Sequence, residues 1–361
     1  MVECYNKSMD SFDFYCMRRA IELARLGVEA APNPKVGCVI SQDGQIVGEG
    51  WHRKYGEAHA EVNAVNQVGN EQLLEGSTVY VTLEPCSHHG KTPPCADLLV
   101  SKNVGRVVIA CTDPNPLVAG RGIERMKNAG IQVDTGLLEP EARQMNRFFL
   151  HAMEQKLPYI TLKWAQTRDG FIAREDGSSQ WISNALSRRL VHKWRGEHQG
   201  ILVGASTAVT DNPALTVRDW SGKNPLRILI DPHLRVPAND WLLADGLPTI
   251  IYHTRGHTPA LMNNSVIYQR VDVPDGAPGR FMRAVLEDLF HRSVYSVFIE
   301  GGSFTLQQCL AEQLWNEALV FVNPQEAFGK GIAAPGLENA PDDMQLIAGN
   351  RLVHYSNVNR K

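Results

Sequence analysis

The chain lacks several things, and each absence removes a class of protein. No stretch approaches the roughly 18 consecutive apolar residues of a membrane helix. Residues 1–15 alternate charged, polar and aromatic side chains without the apolar run of a secretory signal. Charge of one sign is scarce: 36 Lys and Arg stand against 39 Asp and Glu, a net charge of -3. The basic field that releases counterions from nucleic acid is therefore missing. No G-x-G-x-x-G fingerprint occurs, which disfavours a Rossmann dinucleotide turn, and there is no internal repeat or low-complexity tract. Cysteines number only seven, an odd count in a chain without an export signal. They suit a reducing cytoplasm, where thiols act as metal ligands or core fillers rather than disulfides.

What is present reads as an ordinary globular protein, 43% hydrophobic and 21% charged. At 361 residues the chain is about twice a typical domain, so we expect two, residues 1–154 and 155–361. Asp10 or Ser11 can cap a first helix whose Phe14, Met17, Ile21 and Ala24 share one face and which stops at Gly27. Residues 36–41 and 45–50 predict a hairpin around Asp43-Gly44. A helix over 57–66 follows, then strands 78–83, 106–111 and 131–135 alternating with helices from Cys95 and over 121–128, and a closing helix over 139–155. A second series begins with strand 159–165 and a helix from Ser183 to Glu197. It continues with strands 200–204, 226–230, 249–252, 296–299 and 318–322 and a helix over 283–290; residues 272–279 read as a loop. Alternation of this kind predicts α/β architecture in both halves.

The first half carries a metal-ligand pattern. His59-Ala60-Glu61 is followed by Pro85-Cys86 and, eight residues on, Cys95. One imidazole and two thiolates would hold Zn2+ by three protein ligands and leave the fourth tetrahedral position to water, as catalytic sites do. Zinc lowers the pKa of such a water, and Glu61, two residues from a ligand but not needed as one, can manage its proton. The pattern departs from the H-x-E, P-C-x-x-C signature of zinc nucleobase deaminases in the long Cys86–Cys95 spacing. Either half of the motif alone is common, and buried cysteines are often inert; together with a strand delivering Cys86 they specify a metal site. His88 and His89 could instead displace a cysteine, although loop histidines more often face substrate or solvent.

The second half is less explicit. Glu300-Gly301-Gly302-Ser303 follows a strand and opens a helix, a geometry that can meet a phosphate but is also a plain turn. The run from Asp211 to Arg218 reads as a loop, and Arg195 as a cation near a helix C-terminus. Residue pattern alone gives this half no reaction.

Over nearly its full length the chain resembles the bifunctional riboflavin-biosynthesis deaminase-reductase family. In the first half the likeness rests on Pro32-Asn33-Pro34-x-Val36-Gly37, His59-Ala60-Glu61, the run from Glu84 to Cys95, and Asp113-Pro114-Asn115-Pro116. In the second it rests on Leu162-Lys163-x-Ala165-x-Thr167-x-Asp169-Gly170, Ser179-Gln180-Trp181-Ile182, the Asp211 to Arg218 run and Glu300-Gly301-Gly302. The long Cys-to-Cys loop is what this family has. The resemblance implies a cytidine-deaminase-like three-layer α/β/α domain followed by a dihydrofolate-reductase-like α/β domain.

It further implies zinc-dependent deamination of a diaminopyrimidinone bearing a phosphoribosylamino group, then NADPH-dependent reduction of its ribosyl group to ribityl. Asn33, His88, Lys91, Thr92, Asp113 and Asn115 would line the first pocket, with Glu61 catalytic and His59, Cys86 and Cys95 on the metal. Ala165, Trp181, Thr207, Asp211 and the segment Gly302, Ser303, Phe304 and Thr305 would contact NADPH. Ser179, Arg195, Leu215, Arg218 and Glu300 would contact substrate, the arginines suiting its phosphate, and Lys163 is the candidate for protonating the imine. The expected partner is this small phosphorylated pyrimidine, without nucleic acid or membrane; a homo-oligomer is left open. Two rival readings are a nucleic-acid base deaminase with a targeting module, disfavoured by the absent basic bias, and a non-catalytic zinc scaffold, which has no use for Glu61.

Overall fold

The computed structural model describes residues 10–87, 93–115, 119–177, 182–256, 264–273 and 278–357. The chain divides into two compact units, Met1–Gln155 and Lys156–Lys361. Among the described residues no helix is long and apolar enough to cross a membrane.

In the first unit the elements run α1 (Ser11–Arg25), β1 (Gly37–Gln42), β2 (Gln45–Trp51), α2 (Ala60–Gln67), β3 (Thr78–Leu83), α3 (Cys95–Ser101), β4 (Arg106–Cys111), α4 (Arg121–Asn128), β5 (Gln132–Thr135), α5 (Glu139–Met145) and α6 (Arg147–Gln155). Asp10 caps α1 in a reciprocal capping box with Asp13. The Asp43-Gly44 turn takes positive φ at both residues, 51° and 76°, as a tight hairpin demands. The strands form one sheet in the order β2-β1-β3-β4-β5, antiparallel at β2-β1-β3 and parallel at β3-β4-β5. One face packs Met17, Ala20 and Ile21 of α1 and Ala142 of α5 on Val39, Tyr80 and Val108. The other packs Ala60 and Ala64 of α2, Leu99 of α3 and Met126 of α4 on Cys38, Ile40, Val79 and Val81. This is the three-layer α/β/α sandwich. Gly50 of β2 lets α2 lie against the sheet, since a Cβ there would meet the Ala64 nitrogen at 2.3 Å and the Ala60 oxygen at 2.4 Å.

Two expectations change here. Helix α2 begins at Ala60 and not at residue 57, because His59 is its N-cap with extended backbone (φ -71°, ψ 166°). The expected helix 139–155 is two helices broken at Asn146, whose side-chain amide is turned to the Lys35 backbone, accepting from N–H and donating to C=O, each at 2.8 Å.

The second unit contains β6 (Tyr159–Thr167), β7 (Phe171–Ala173), α7 (Ala185–Glu197), β8 (Gly200–Gly204), α8 (Ala205–Asp211), β9 (Leu226–Ile230), α9 (Trp241–Ala244), β10 (Thr249–His253), β11 (Val266–Arg270), α10 (Pro278–His291), β12 (Ser296–Ile299), α11 (Ser303–Ala311), β13 (Glu317–Asn323), β14 (Ile332–Ala333), β15 (Asp343–Ile347) and β16 (Asn350–Ser356). Its main sheet has the order β11-β10-β9-β8-β12-β6-β13-β16-β15, parallel from β11 to β13 and closed by the antiparallel pair β16-β15. Strands β7 and β14 form a separate pair. The helix expected from Ser183 starts at Ala185, capped by Asn184, whose side chain accepts from the Ser187 N–H. Residue 278, expected in a loop, opens α10. The parallel core with helices on both faces is the dihydrofolate-reductase-like α/β arrangement.

Candidate active sites

The metal-ligand pattern of the first unit becomes a cluster because three element ends converge. His59 caps α2, Cys86 follows the C-terminal end of β3, and Cys95 opens α3. One ligand atom from each lies within 4.8 Å of the others. His59 Nδ1 is 3.3 Å from Cys95 Sγ and 3.6 Å from Cys86 Sγ. One imidazole and two thiols gathered in so small a space fit zinc, which takes ligands at about 2.0–2.3 Å.

Two backbone N–H groups at the start of α3 bind Cys86: the Cys95 N–H reaches its sulfur at 3.3 Å and the Ala96 N–H its carbonyl at 3.1 Å. The Cys95 hydrogen bond and His59 hold the Cys86 thiol well below its ordinary pKa, despite burial, while that of Cys95 is raised. Glu61 is buried on the first turn of α2. Burial and the Cys86 charge push its carboxyl up to about 7.

Of the expected substrate contacts, Asn33, Asp113 and Asn115 lie among the described residues, whereas His88, Lys91 and Thr92 lie outside them. Asn33 Nδ2 is 3.1 Å from His52 Nε2, and His52 Nδ1 is 3.1 Å from the Ala58 carbonyl, so a neutral His52 donates to Ala58 and accepts from Asn33. His52 meets the His59 ring edge-on at 5.6 Å between centroids. Asp113 is buried and its Oδ1 accepts from the Asn115 N–H at 2.8 Å. Sequence reasoning missed His52, because a lone histidine at a strand end carries no pattern that separates it from a core residue.

In the second unit a cavity of about 1600 Å³ opens at the C-terminal ends of the parallel strands, where open α/β sheets bind ligands. It is lined by Lys163, Ala165, Arg195, Thr207, Asp211, Leu215, Arg218 and Glu300, together with Gly302, Ser303, Phe304 and Thr305. Ser179 and Trp181 lie outside the described residues. The space exceeds the ~300–1000 Å³ of a site for one drug-sized ligand and suits a dinucleotide with a second molecule beside it. Gly302 takes φ 74°, and a Cβ there would come within 3.0 Å of Thr207 Oγ1, so the glycine keeps the backbone bare. Asn212 and Leu215 also take left-handed backbone, at φ 39° and 53°, a conformation that non-glycine residues hold at a cost.

Lys163, Arg195 and Glu300 form a half-buried charge cluster, their side chains 14%, 11% and 10% exposed. Arg195 Nε and Nη2 reach the two Glu300 oxygens at 2.5 and 3.0 Å, and Nη1 donates to the Thr216 carbonyl at 3.0 Å. Three of its nitrogens are thus committed, so the expected Arg195 fork points at Glu300, while Arg218 is exposed at the cavity. Lys163 Nζ stands 3.8 Å from Glu300. Burial pulls the Lys163 ammonium below its ordinary pKa, with Glu300 opposing and Arg195 assisting. Burial works against the Glu300 carboxylate, but Arg195 and Lys163 hold its pKa low. His192, not anticipated from sequence, also lines the cavity, its Nδ1 accepting from the Arg218 N–H at 3.2 Å.

Fold and sites together define a two-unit enzyme, a cytidine-deaminase-type zinc sandwich joined in sequence to a reductase-type α/β unit. Residues 10–111 match the model of the cytidine and deoxycytidylate deaminase zinc-binding region, and residues 158–344 that of the RibD C-terminal domain. The chain is 41% identical over 304 residues to the riboflavin biosynthesis protein RibD of Aquifex aeolicus, covering 84% of this chain and 83% of that one. It is 38% identical over 355 residues to the Escherichia coli protein of that name, covering 92% and 94%. Among solved structures it is similar to Acinetobacter baumannii RibD (TM-score 0.86, 34% identity, 95% and 98% covered). It is also similar to the diaminohydroxyphosphoribosylaminopyrimidine deaminase/5-amino-6-(5-phosphoribosylamino)uracil reductase of Thermotoga maritima (TM-score 0.81, 34% identity, 95% and 98% covered). The chain belongs to the RibD family, the bifunctional deaminase-reductases of riboflavin biosynthesis, which use Zn2+ and NADPH.

Proposed function

We propose that the first unit deaminates 2,5-diamino-6-(5-phosphoribosylamino)pyrimidin-4(3H)-one and that the second reduces the ribosyl group of the resulting uracil to ribityl. The observation that carries this reading is the convergence of His59, Cys86 and Cys95 within 4.8 Å, with Glu61 buried beside them. His59, Cys86 and Cys95 would hold zinc, which when bound would supply a water activated at neutral pH. Glu61 would take a proton from the attacking water and deliver it to the exocyclic nitrogen; the new C–O bond at the ring carbon replaces the C–N bond, and the nitrogen leaves as ammonia. A carboxyl with its pKa near neutrality suits both halves of that exchange. Asn33, Asp113 and Asn115 orient the ring.

In the second unit Ala165, Thr207, Asp211 and the Gly302 segment would hold NADPH, which would supply the hydride that reduces C1′ of the open imine form. Lys163 delivers the proton to the imine nitrogen, a role eased by its lowered pKa. Glu300 holds Lys163 and Arg195 in place, and Arg218 meets the phosphate. The small-molecule chemistry and near-neutral charge support an enzyme of the cytoplasm that does not act on nucleic acid.

Mass spectrometry of products from zinc-loaded protein tests this directly. We expect exchange of the amine for a carbonyl oxygen without NADPH, and two further hydrogens with it. Glu61→Gln should abolish the first change, by about 100-fold or more, and leave reduction of the deaminated compound intact. Unimpaired deamination in that variant would overturn the mechanism.

A further inference from the structure

Glu84 is a buried acid that the mechanism does not use. It follows β3, two residues before Cys86, and its own N–H continues the β3-β4 pairing to the Cys111 carbonyl at 3.0 Å. The side chain is 4% exposed, and among the described residues no lysine or arginine pairs with it. Backbone donors surround it instead. Oε2 accepts from the Asp113 N–H at 3.4 Å and the Gly120 N–H at 3.1 Å; Oε1 accepts from the Gly122 N–H at 3.1 Å and the Ile123 N–H at 3.4 Å.

Leaving such a carboxylate buried is costly unless its oxygens are satisfied. The N-terminal end of α4 satisfies them, with its dipole of the right sign. The fit also requires glycine at 122, where a Cβ would meet the Pro85 oxygen at 2.2 Å and Glu84 Oε1 at 3.3 Å. One carboxylate therefore joins the chain that delivers Cys86, the backbone of Asp113 and the first turn of α4. Asp113 in turn holds the Asn115 N–H.

We infer that Glu84 is a positioning residue of the deaminase, fixing Asp113 and Asn115 relative to the metal cluster so that they meet the pyrimidine. The inference rests on the reading of Asp113 and Asn115 as substrate contacts. In Glu84→Gln, an amide NH2 would face backbone N–H donors and the Asp113–Gly120 grip would loosen. Losing one such charged acceptor should raise the deaminase KM about tenfold, at near-parent kcat. Zinc stoichiometry and reductase turnover on deaminated substrate should not change.

The inhibition constant of the deaminated product against the deaminase reaction should rise by the same factor. Gly122→Ala, which forces a methyl against Pro85 and Glu84, should reproduce the KM rise without altering Glu84 itself. A merely structural role would instead lower kcat through the active fraction at unchanged KM, and that result would overturn the inference. So would loss of zinc, which would place the effect on Cys86. Asn115→Ala separates the two layers. If it raises KM and Glu84→Gln does not, the positioning role fails alone; if Asn115→Ala leaves KM unchanged, the reading beneath it fails. If both raise KM, the double variant should show less than the product of the two effects.

Discussion

Lys163 is a cation in a place that disfavours cations. Half-buried in β6, it has its pKa lowered by desolvation and by Arg195, with Glu300 at 3.8 Å opposing the shift. Such a group gives up a proton more readily than a surface lysine, which is what delivery to an imine nitrogen requires. Lys163→Met should keep the side chain's bulk, lower reductase kcat about 100-fold and leave deamination at the parent rate. Unchanged reductase turnover would reduce Lys163 to a structural partner of Glu300. At this scale the sequence was informative where chemistry repeats in a pattern: His59, Cys86, Cys95 and Glu61 were legible from residue type and spacing. Glu84 and His52 were not, because a single acid or imidazole acquires its role from backbone groups far away in sequence, Asp113 and Gly120–Ile123 in one case, Asn33 and Ala58 in the other.

Elements are tied together by a second buried acid with a different job. Asp13 of α1 takes two hydrogen bonds from Arg106 of β4, at 2.8 and 3.0 Å, and one from the Tyr80 hydroxyl of β3 at 2.7 Å, while Arg106 also reaches Asp134 of β5 at 2.7 Å. Burial alone would raise the Asp13 pKa, but Arg106 and Tyr80 hold it below the ordinary 3.8. A depressed carboxyl stabilises the fold fully above its unfolded pKa and loses that contribution as pH falls through the folded one. Asp13→Asn should therefore cost about 2 kcal/mol near neutrality, and the gap from the parent should narrow in acid. Urea titration read by hydrogen exchange in α1 and β4 would measure both; a gap that persists unchanged in acid would rule the charge out as its source. Many helices and buried strands were readable from apolar spacing, although α8, α9 and β16 were not anticipated. The break at Asn146 was not, since its cause is the Lys35 backbone, and neither was β15, whose exposed Asp343–Ile347 has no buried face to impose alternation.

The whole molecule holds two chemistries in units with separate cores. The clusters around α1 and α2 involve only residues of the first unit, and those around β6 to β13 only residues of the second. Two domains could be expected from length, but the hydride chemistry of the second could not, because Lys163, Arg195 and Glu300 come from β6, α7 and the end of β12 and have no common motif. Metal binding to the first unit's donor set also stabilises that unit by mass action, since the three ligands are gathered only in the fold. Removing zinc with a chelator should then abolish deamination and lower the thermal transition of the first unit. Reduction of deaminated substrate should continue at the parent rate, because no residue of the reductase cavity belongs to the metal cluster. Restored zinc should recover deamination. Parallel loss of both activities on chelation would show instead that the second unit depends on the metal-loaded state of the first, and that the two chemistries are coupled through more than a shared chain.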